Sequence, residues 1–473
     1  MGAHAVLYKY MTDFEKNLLQ KDVQTILHLQ RQYKIKASKY KTSRFLLDIL
    51  MQQLDADYII GISGLRGSGK TVLLLQLLSR FKNGQNAVYI SADMVRTPLF
   101  ELAMYLRKKH NIKFLLIDEI HYAIDWARQI KQIYDTLDVK IYFTSSVSLD
   151  ILKVREDLTR RVKVYNLPVL NLREFLALKY HEQISPLGFR ELLARAPQFA
   201  KDSKYLDLIT YLEEHFEEYL GAPLPSMLKQ ADEFIPLNIL AKIIDQDMDN
   251  ITELGLEDKH NIHLALRFLA SISGGDISVS QLAKNIGVSR YKMQIYMELL
   301  QKAFVLHLVP KFGRSVVAEK RVLFNLPFRK YLSLNVDAAH LLGLLKEDFF
   351  VSMMRPYIAL SGGGRAYFSG IYYLQKKAVA RTQGCSRANQ AYRSPDFLLD
   401  LFGDKYIVEV GGASKGVGQL VDVWQKKSDI PRIAAVYPYV GVSAAQVGQD
   451  YAQVSVKGLT IYKLPLVLFG MLW

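Results

Sequence analysis

The sequence predicts an α/β fold whose first large domain is built on a parallel β-sheet. Short apolar runs alternate with longer stretches of helical periodicity, and a glycine-rich loop lies between the first run and the first helix. Strands that are apolar on both faces and alternate with helices are typical of a buried parallel sheet. The predicted strands are residues 58–62, 87–90, 114–117 and 140–143, and the predicted helices between them are 71–81, 98–110 and 124–137.

Length and composition indicate an ordinary multidomain globular protein. The 473 residues exceed what one hydrophobic core usually supports, and 50% hydrophobic with 23% charged residues exclude collagen-like and broadly disordered chains. The longest apolar runs are shorter than the roughly 20 residues that cross a bilayer. Asp13 and Glu15 interrupt the region where a signal peptide would be apolar, and the single Cys385 agrees with a reducing compartment. We therefore expect a cytoplasmic protein without membrane contact.

The glycine-rich loop, GLRGSGKT at residues 64–71, matches the phosphate-binding pattern G-x-x-x-x-G-K-[ST] at each fixed position. Glycines let the backbone N–H groups approach phosphate oxygens, and the N-terminus of the following helix adds partial positive charge. We expect Lys70 to reach the β- and γ-phosphates of ATP and the Thr71 hydroxyl to bind Mg²⁺. The predicted nucleotide-binding residues are Gly64, Leu65, Arg66, Gly67, Ser68, Gly69, Lys70, Thr71 and Val72.

A second motif, FLLIDEIH at residues 114–121, ends a predicted strand with two acids. Ligands bind at the carboxyl ends of parallel strands, where Asp118 would hold Mg²⁺ and Glu119 would polarise the attacking water. The alternative is that these acids only cap the next helix. The phosphate-binding loop upstream favours the metal and base interpretation.

The next predicted strand, IYFTSSVS at residues 141–148, has a cluster of three hydroxyl side chains near its end, Thr144, Ser145 and Ser146. We expect one of them, Ser145, to contact the γ-phosphate or position water; the alternative is simple turn chemistry. Arg155, Arg160 and Arg161 follow as a basic cluster. An arginine supplied to a neighbour's ATP would stabilise charge in the transition state, whereas a surface cluster without such a role is the alternative.

Several of these segments together resemble prokaryotic AAA-type ATP-binding proteins that carry a C-terminal domain of unknown function. The segments are GLRGSGKT, VYISAD at 88–93, FLLIDEIH, FTSS and LTRRVKVYNLPVLNLREFLAL at 158–178. In that family a glycine–arginine pair, a proline turn and a Glu-Phe pair follow the last ATPase strand. The corresponding residues here are Arg161, Pro168, Glu174 and Phe175, with Arg160 in place of the glycine.

The resemblance implies that Lys70, Thr71, Asp118 and Glu119 are the ATP and magnesium residues. It also implies that Arg161 matches the position of an arginine acting on a neighbouring subunit. The expected cofactors are therefore ATP and Mg²⁺, and the expected assembly is a homo-oligomer.

Residues 277–309 have a helix-turn-helix pattern. Ser280 is predicted to cap the first helix, Gly287 to allow the turn, and Ser289 to cap the second helix. Strands over 304–309 and 321–324 would pair as a wing.

The second of these helices begins with Arg290 and Lys292. In DNA-binding versions of the motif, this end enters the major groove. A winged helix used as a structural or protein-contact module is an equally weighted alternative.

The charge balance favours contact with DNA or RNA. Lysine and arginine number 61 against 46 acidic residues, and a net charge of +15 attracts polyanions. The segment 31–44 contains no acid, and its Lys36, Lys39 and Lys41 are candidates for phosphate contacts. A solvated helix face is the alternative for this segment.

SPDFLLDLFGDKYIVEVGG at residues 394–412 predicts two apolar strands joined by a turn. It resembles the PD-(D/E)xK nuclease core, in which acids and a lysine gather around Mg²⁺. The resemblance implies a metal site of Asp396 and Glu409, with Glu347 added from a preceding helix.

One residue departs from this nuclease pattern, because Gly411 stands where the core has its lysine. Lys415 is a nearby substitute, and Gln419 matches a glutamine of the following helix. Because the lysine stabilises developing charge and orients water, a fold kept for binding or assembly is favoured over active cleavage.

These observations predict a P-loop NTPase parallel sheet with a helical lid, a winged helix and a C-terminal restriction-endonuclease-like α/β domain. The predicted parts are an N-terminal helical, basic segment over 1–56, a P-loop ATPase core over 57–165, a helical lid over 166–270, a winged helix-turn-helix over 271–330 and a PD-(D/E)xK-like domain over 331–473.

The leading hypothesis is a Mg²⁺-dependent AAA-type ATPase that acts as a switch and contacts nucleic acid. One alternative is an ATP-gated nuclease that uses the C-terminal domain. The other is a protein that binds nucleotide without appreciable turnover and thereby stabilises an assembly.

Overall fold

The computed structural model describes most of the chain. It covers residues 11–81, 86–146, 158, 160–199, 201–229, 232–249, 252–272, 278–312, 320–361, 370–373, 396–401, 403–411, 420, 435–439, 452–456 and 459–473. Several residues named in the sequence analysis lie outside these ranges, namely Arg155, Lys415 and Gln419.

The chain folds into two compact units. The first contains the chain up to Pro168 together with Asp245–Glu253 and Lys302–Phe304. The second contains Val169–Ile244, Leu254–Gln301 and Val305–Trp473. The described helices include none that is both long and apolar enough to span a membrane.

The first unit is built on a five-stranded sheet whose paired strands all run parallel. Its elements are α1 (Asp13–Ser38), α2 (Leu46–Met51), β1 (Ile59–Ser63), α3 (Lys70–Arg80), β2 (Ala87–Ser91), α4 (Leu99–His110), β3 (Phe114–Asp118), α5 (Trp126–Thr136), β4 (Lys140–Ser145) and β5 (Val162–Asn166). All residues of β1 and β3 are buried, which confirms the expected buried parallel sheet.

The strand order is β2-β3-β4-β1-β5, so β4 lies between β1 and β3. In register, Ser63 at the end of β1 is opposite Ser145, and Ile117 near the end of β3 is opposite Phe143. Because the strands are parallel, their carboxyl ends meet at one edge. The loop after β1, the acids of β3 and the hydroxyls of β4 therefore meet at that edge.

Helix α1 packs on the same core as the sheet through Leu19, Val23 and Ile26. Its Gln30 side chain also covers the edge strand β2: the amide Nε2 donates to the Tyr89 carbonyl and Oε1 accepts the Tyr89 N–H, both at 2.9 Å. These bonds satisfy backbone groups that an edge strand otherwise exposes. The predicted N-terminal helical segment is thus integrated into the first unit.

The second unit begins with helices and ends with a mixed sheet. Its helices are α6 (Leu172–Lys179), α7 (Phe189–Phe199), α8 (Ser203–Gly221), α9 (Phe234–Lys242), α10 (Leu256–Ala270), α11 (Val279–Ile286), α12 (Arg290–Lys302), α13 (Phe328–Leu332) and α14 (Ala338–Ser361). Its strands are β6 (Leu306–Val309), β7 (Arg321–Phe324), β8 (Gly370–Tyr372), β9 (Phe397–Leu401), β10 (Asp404–Val408), β11 (Ala435–Tyr439), β12 (Ala452–Val456) and β13 (Leu459–Pro465).

Helices α11 and α12 and the antiparallel pair β6–β7 follow the predicted helix-turn-helix order. Gly287 ends α11 with φ of 83°, a conformation that glycine adopts without strain. The predicted cap of α11 is wrong by two residues. Ser278, not Ser280, accepts the Gln281 N–H, because Gln281 completes a capping box with it. The predicted Ser289 cap of α12 is present, since its Oγ accepts the Lys292 N–H at 3.2 Å.

The C-terminal sheet has six strands in the order β12-β13-β11-β10-β9-β8. Strands β10, β11 and β13 are parallel neighbours, whereas β8, β9 and β10 form antiparallel pairs. The predicted hairpin is therefore present as β9 and β10. A fully buried ion pair stabilises this unit, in which Arg329 Nη2 donates to Asp348 Oδ1 at 3.1 Å.

Candidate functional site

The loop between β1 and α3 has the backbone shape of a phosphate cradle. Gly67 and Gly69 have φ of 83° and 97°, which only glycine adopts at little cost. At Gly64 a Cβ would lie 2.3 Å from the Leu167 carbonyl oxygen, so a larger residue would displace the loop. The glycines of the predicted pattern are therefore required by the observed backbone.

Lys70 is the first residue of α3, and only 4% of it is exposed. Its Nζ donates to the carbonyl oxygens of Gly64 at 3.0 Å and Leu65 at 3.3 Å, which holds the ammonium inside the loop. Burial lowers the pKa of Lys70, and the carboxylates of Glu119 and Asp118 oppose this effect. A phosphate group near this ammonium would favour its charged form.

Asp118 is held by three hydroxyl groups. Its Oδ2 accepts from Thr71 Oγ1 at 2.8 Å and from the Tyr89 hydroxyl at 2.7 Å, and its Oδ1 accepts from Thr144 Oγ1 at 2.5 Å. A carboxylate beside a threonine hydroxyl is the hard oxygen donor set that Mg²⁺ prefers. The two predicted metal residues, Thr71 and Asp118, are therefore brought together and fit the ion.

Glu119 has an unusual backbone for a residue with a side chain, with φ of 49° in the left-handed region. Its N–H donates to Thr144 Oγ1 at 2.8 Å, and its Oε2 accepts the Ser146 N–H at 3.2 Å. Backbone strain of this kind persists where the surrounding structure enforces it, as at functional sites. These bonds aim the Glu119 carboxylate along the edge where the loop and Asp118 lie.

Buried polar atoms with no hydrogen-bond partner among the described residues surround this edge. They are Ser68 Oγ, Ser146 Oγ and both ring nitrogens of His121. The His121 Nδ1 lies 3.4 Å from Glu119 Oε2, and burial lowers the pKa of the imidazole, which favours a neutral ring. Buried polar groups are normally satisfied, so these atoms fit a site that takes a polar ligand.

Sequence reasoning missed Tyr89, Arg44 and the role of Thr144. Tyr89 lies on the edge strand β2, and no motif marks its contact with Asp118. Arg44 lies in the segment interpreted as phosphate-contacting, but it is buried and donates to the carbonyls of Ser68 at 2.8 Å and Pro168 at 3.0 Å. Arg44 therefore supports the phosphate-binding loop from behind.

The predicted Ser145 is buried at the end of β4. The hydrogen bonds described above to Asp118 and Glu119 come from its neighbours Thr144 and Ser146. Successive side chains of a strand point to opposite faces of the sheet. Ser145 therefore points to the face opposite the one on which Thr144 contacts the acids. The role assigned to Ser145 remains a prediction.

Arg161 lies at the other end of the sheet from the phosphate-binding loop. It precedes β5, its carbonyl accepts the Ile59 N–H at 2.7 Å, and its Nε bonds Asp135 Oδ1 at 2.9 Å. A cavity of about 420 Å³ at these amino ends is lined in part by Asp135 and Asp138. Arg161 therefore lies away from the loop of its own chain, and only a neighbouring molecule could use it at a nucleotide.

The predicted nucleic-acid residues are exposed. Lys36, Lys39, Lys41 and Arg290 all point to solvent. Lys292 differs, because its Nζ bonds Asp258 Oδ1 at 2.9 Å and the partner carboxylate offsets its charge.

The predicted nuclease-like metal site is not formed in the described part of the chain. Arg321 Nη2 bonds Glu347 Oε2 at 2.5 Å, and its Nη1 lies 3.7 Å from Asp396 Oδ1. Glu409 directly follows β10 rather than lying within it. Among the described residues no group of three or more His, Cys, Asp and Glu side chains could hold a metal ion. A guanidinium instead pairs with two of the predicted acids.

Two family models match parts of the chain. Residues 56–176 match the AAA domain, and residues 226–328 match a domain of unknown function, DUF8612. The first match contains both the phosphate-binding loop and the acids of β3. This part of the chain is therefore similar to AAA domains, in agreement with the sequence resemblance.

Two curated relatives match the chain, and both are described as uncharacterized proteins. A protein of Methanocaldococcus jannaschii is 26% identical over 411 residues, which are 80% of this chain and 82% of the relative. A protein of Haemophilus influenzae is 26% identical over 281 residues, 55% of this chain and 64% of the relative.

Two solved structures also share local similarity with the chain. A chain from the structure of Drosophila ORC bound to AT-rich DNA and Cdc6 is 9% identical, with a TM-score of 0.22, over 69% of this chain and 96% of that chain. C. elegans PCH-2 is 16% identical, with a TM-score of 0.21, over 43% of this chain and 56% of that chain. No conclusion about the fold or function follows from TM-scores this low.

Proposed function

We propose that this chain binds ATP together with Mg²⁺ in the P-loop site and hydrolyses it. The observation that carries the proposal is the hydrogen-bond network at the carboxyl edge of the sheet. There Thr71 bonds Asp118, and Thr144 bonds both Asp118 and Glu119, next to the buried ammonium of Lys70.

Each residue of this network has a separate role. The N–H groups of residues 64–71 and the N-terminus of α3 would bind phosphate oxygens, and Lys70 would neutralise their charge. Thr71 and Asp118 would hold Mg²⁺, which supplies electrostatic stabilisation of the transferring phosphoryl group. Tyr89 and Thr144 keep the Asp118 carboxylate in one orientation, so little reorganisation is needed when a metal binds.

Glu119 would orient the attacking water and accept its proton. Its carboxylate is positioned by the Ser146 N–H and its backbone by Thr144. Both supporting groups come from the end of β4, the strand between the phosphate-binding loop and the acids. Because the ring of His121 next to Glu119 is neutral, it does not form an ion pair with the Glu119 carboxylate, as a protonated ring would.

Phosphate release from ATP by the purified protein tests this proposal. We expect Mg²⁺-dependent release that Lys70→Ala abolishes, whereas Lys109→Ala, an exposed lysine of α4, leaves it unchanged. Binding of ATP with no release of phosphate in multiple or single turnover would favour the nucleotide-stabilised assembly instead. A wild-type protein that does not bind ATP would refute the proposal.

A second proposed activity is contact with nucleic acid. The first residues of α12, Arg290 and Tyr291, are exposed, and Tyr291 is 74% exposed although it is a large aromatic side chain. A cation beside an exposed aromatic ring suits phosphate contact and base stacking. We expect labelled duplex DNA to shift at low salt and Arg290→Ala to weaken the shift, with Arg128→Ala as the exposed control. No binding at low salt would exclude this contact.

A further inference from the structure

One side chain of the phosphate-binding loop has no role in the function proposed above. Arg66 is a long cationic residue in the middle of the loop, and its side chain is only 24% exposed. Its Nε donates to Asp247 Oδ2 at 3.2 Å and its Nη2 donates to Asp247 Oδ1 at 2.8 Å. This two-point geometry is the strongest arrangement between arginine and a carboxylate.

The partner, Asp247, comes from a distant part of the chain. It ends a π-helical turn, Ile243–Asp247, and is 1% exposed. A buried carboxylate is costly unless it is paired, so Asp247 depends on a cation such as Arg66. Single π-helical turns occur often at functional sites. The turn and the pair together indicate that Asp247 is placed to hold Arg66.

The charge of Arg66 acts on titratable groups of the site. The hydrogen bond to Asp247 is the main cause that raises the pKa of Arg66, and the Glu119 carboxylate contributes in the same direction. Burial chiefly lowers the pKa values of Lys70 and His121, and the Arg66 charge lowers both further. The charge of Arg66 therefore contributes to the electrostatic environment of Lys70, Glu119 and His121.

We propose that Arg66 discriminates ATP from ADP by exchanging its partner Asp247 for the terminal phosphate of ATP. This rests on the proposed nucleotide binding at the loop. Arg66 can bind two oxygens of a phosphate with the same donors that it presents to Asp247. With ADP, Arg66 stays on Asp247. With ATP, Asp247 loses or shares its partner, and the turn that carries it responds.

Through this exchange of partners, the bound nucleotide would affect one specific segment of the chain. Asp245–Glu253 belongs to the first unit, whereas the residues before and after it in the chain belong to the second. A change at Asp247 therefore acts on a short stretch that is covalently joined to the second unit on both sides. Only a ligand that offers Arg66 a γ-phosphate would produce this change.

Binding affinities for ADP and for a non-hydrolysable ATP analogue, measured by calorimetry with Mg²⁺, test the proposal. We expect wild-type protein to prefer the analogue and Arg66→Gln to lose about tenfold or more of that preference. Asp247→Asn should bind the analogue more tightly than wild type and ADP equally well, since a competitor for Arg66 is weakened. The control Arg128→Gln removes an exposed arginine that pairs with Asp125 and should change neither affinity.

Amide hydrogen exchange gives a readout that does not depend on Asp247→Asn folding. In wild type, exchange in residues 243–249 should rise with the analogue and not with ADP, and in Arg66→Gln the two nucleotides should give equal exchange. An unchanged preference in Arg66→Gln would overturn the exchange of partners while leaving ATP binding intact. Failure of wild type to bind either nucleotide would instead refute the function proposed above, and this inference with it.

Discussion

The Thr144 hydroxyl donates to Asp118 Oδ1 at 2.5 Å, and its own oxygen, Thr144 Oγ1, accepts the backbone N–H of Glu119 at 2.8 Å. One buried side chain of β4 thus holds the residue proposed to bind Mg²⁺ and the residue proposed to orient water. The two acids are adjacent in sequence, but their relative orientation depends on a strand that follows them in the chain.

Removing this hydroxyl should slow hydrolysis more than it weakens nucleotide binding. Thr144→Val keeps the shape of the side chain but leaves the Asp118 carboxylate with one fewer donor, a loss of about 1.5–3 kcal/mol for a hydrogen bond to a charged group. We expect kcat to fall about 10- to 100-fold with a small change in the ATP dissociation constant. Thr144→Ser should retain most activity. Equal kcat in Thr144→Val and wild type would show that the bond is dispensable.

Glu119→Gln should separate binding from hydrolysis. Glutamine keeps the size of the side chain, but it cannot accept a proton as the carboxylate does. We expect phosphate release to fall about 10²- to 10⁴-fold, the usual contribution of a general base, while ATP remains bound. Retention of labelled ATP and single-turnover release would measure the two effects. A loss of binding equal to the loss of turnover would mean that Glu119 supports the pocket rather than the chemistry.

Arg161 should act in a neighbouring molecule if it acts on nucleotide at all, because it lies at the end of the sheet away from its own loop. Lys70→Ala has an intact Arg161 but a defective loop, and Arg161→Ala has the opposite defect. We expect each variant to be inactive alone and a mixture of the two to regain part of the phosphate release. Asp135→Asn should lower activity less than Arg161→Ala does.

An absence of recovery in the mixture, with Arg161→Ala active by itself, would assign Arg161 to a structural pair with Asp135. Sedimentation of wild-type protein with and without an ATP analogue would show independently whether the chain self-associates.

Stability should fall as the pH drops below about 6.5, in part because of His307. Burial, and secondly the charge of Arg355, hold the pKa of His307 well below its ordinary value, while Asn325 opposes the shift. Between the unfolded pKa of about 6.5 and the lower folded pKa, the unfolded chain binds more protons, so falling pH favours unfolding by at most about 1.4 kcal/mol per pH unit.

Urea midpoints at pH 7.5 and pH 5.5 would measure this effect. His307→Gln should lose less stability between the two pH values than wild type does. His28→Gln, at an exposed position of α1, should behave as wild type. A loss in His307→Gln equal to that of wild type would assign the pH dependence to other groups.

The strand and helix order of the first unit could be predicted because its signals are local. Continuous apolar runs indicate buried strands, and the glycines of the loop at 64–71 are required by a backbone that turns tightly around phosphate. The predicted bounds of β1 and β4 differ from the observed ones by one or two residues. The cap of α11 was misplaced because Ser278 and Ser280 are both suitable residues, and only the side chain of Gln281 decides between them.

The sequence predicts a metal site at Glu347 and Asp396, whereas in the structure an arginine pairs with both acids. The sequence could not indicate this pairing, because the arginine is distant from both acids in the chain. Glu347 and Asp396 fit a metal site when only carboxylates are considered. Arg321, which is on β7, contacts both and supplies the positive charge. No pattern in the segment 394–412 indicates that arginine.

The sequence by itself determined the phosphate-binding loop, the acids that follow β3 and the parallel sheet that aligns them, because each depends on residues close together in the chain. Only the tertiary structure decided which side chains support them: Tyr89 and Thr144 on Asp118, Arg44 behind the loop, and Asp247 on Arg66. These contacts join residues from 24 to 181 positions apart. Such contacts leave no periodic or local signal, because they depend on how the strands and helices pack.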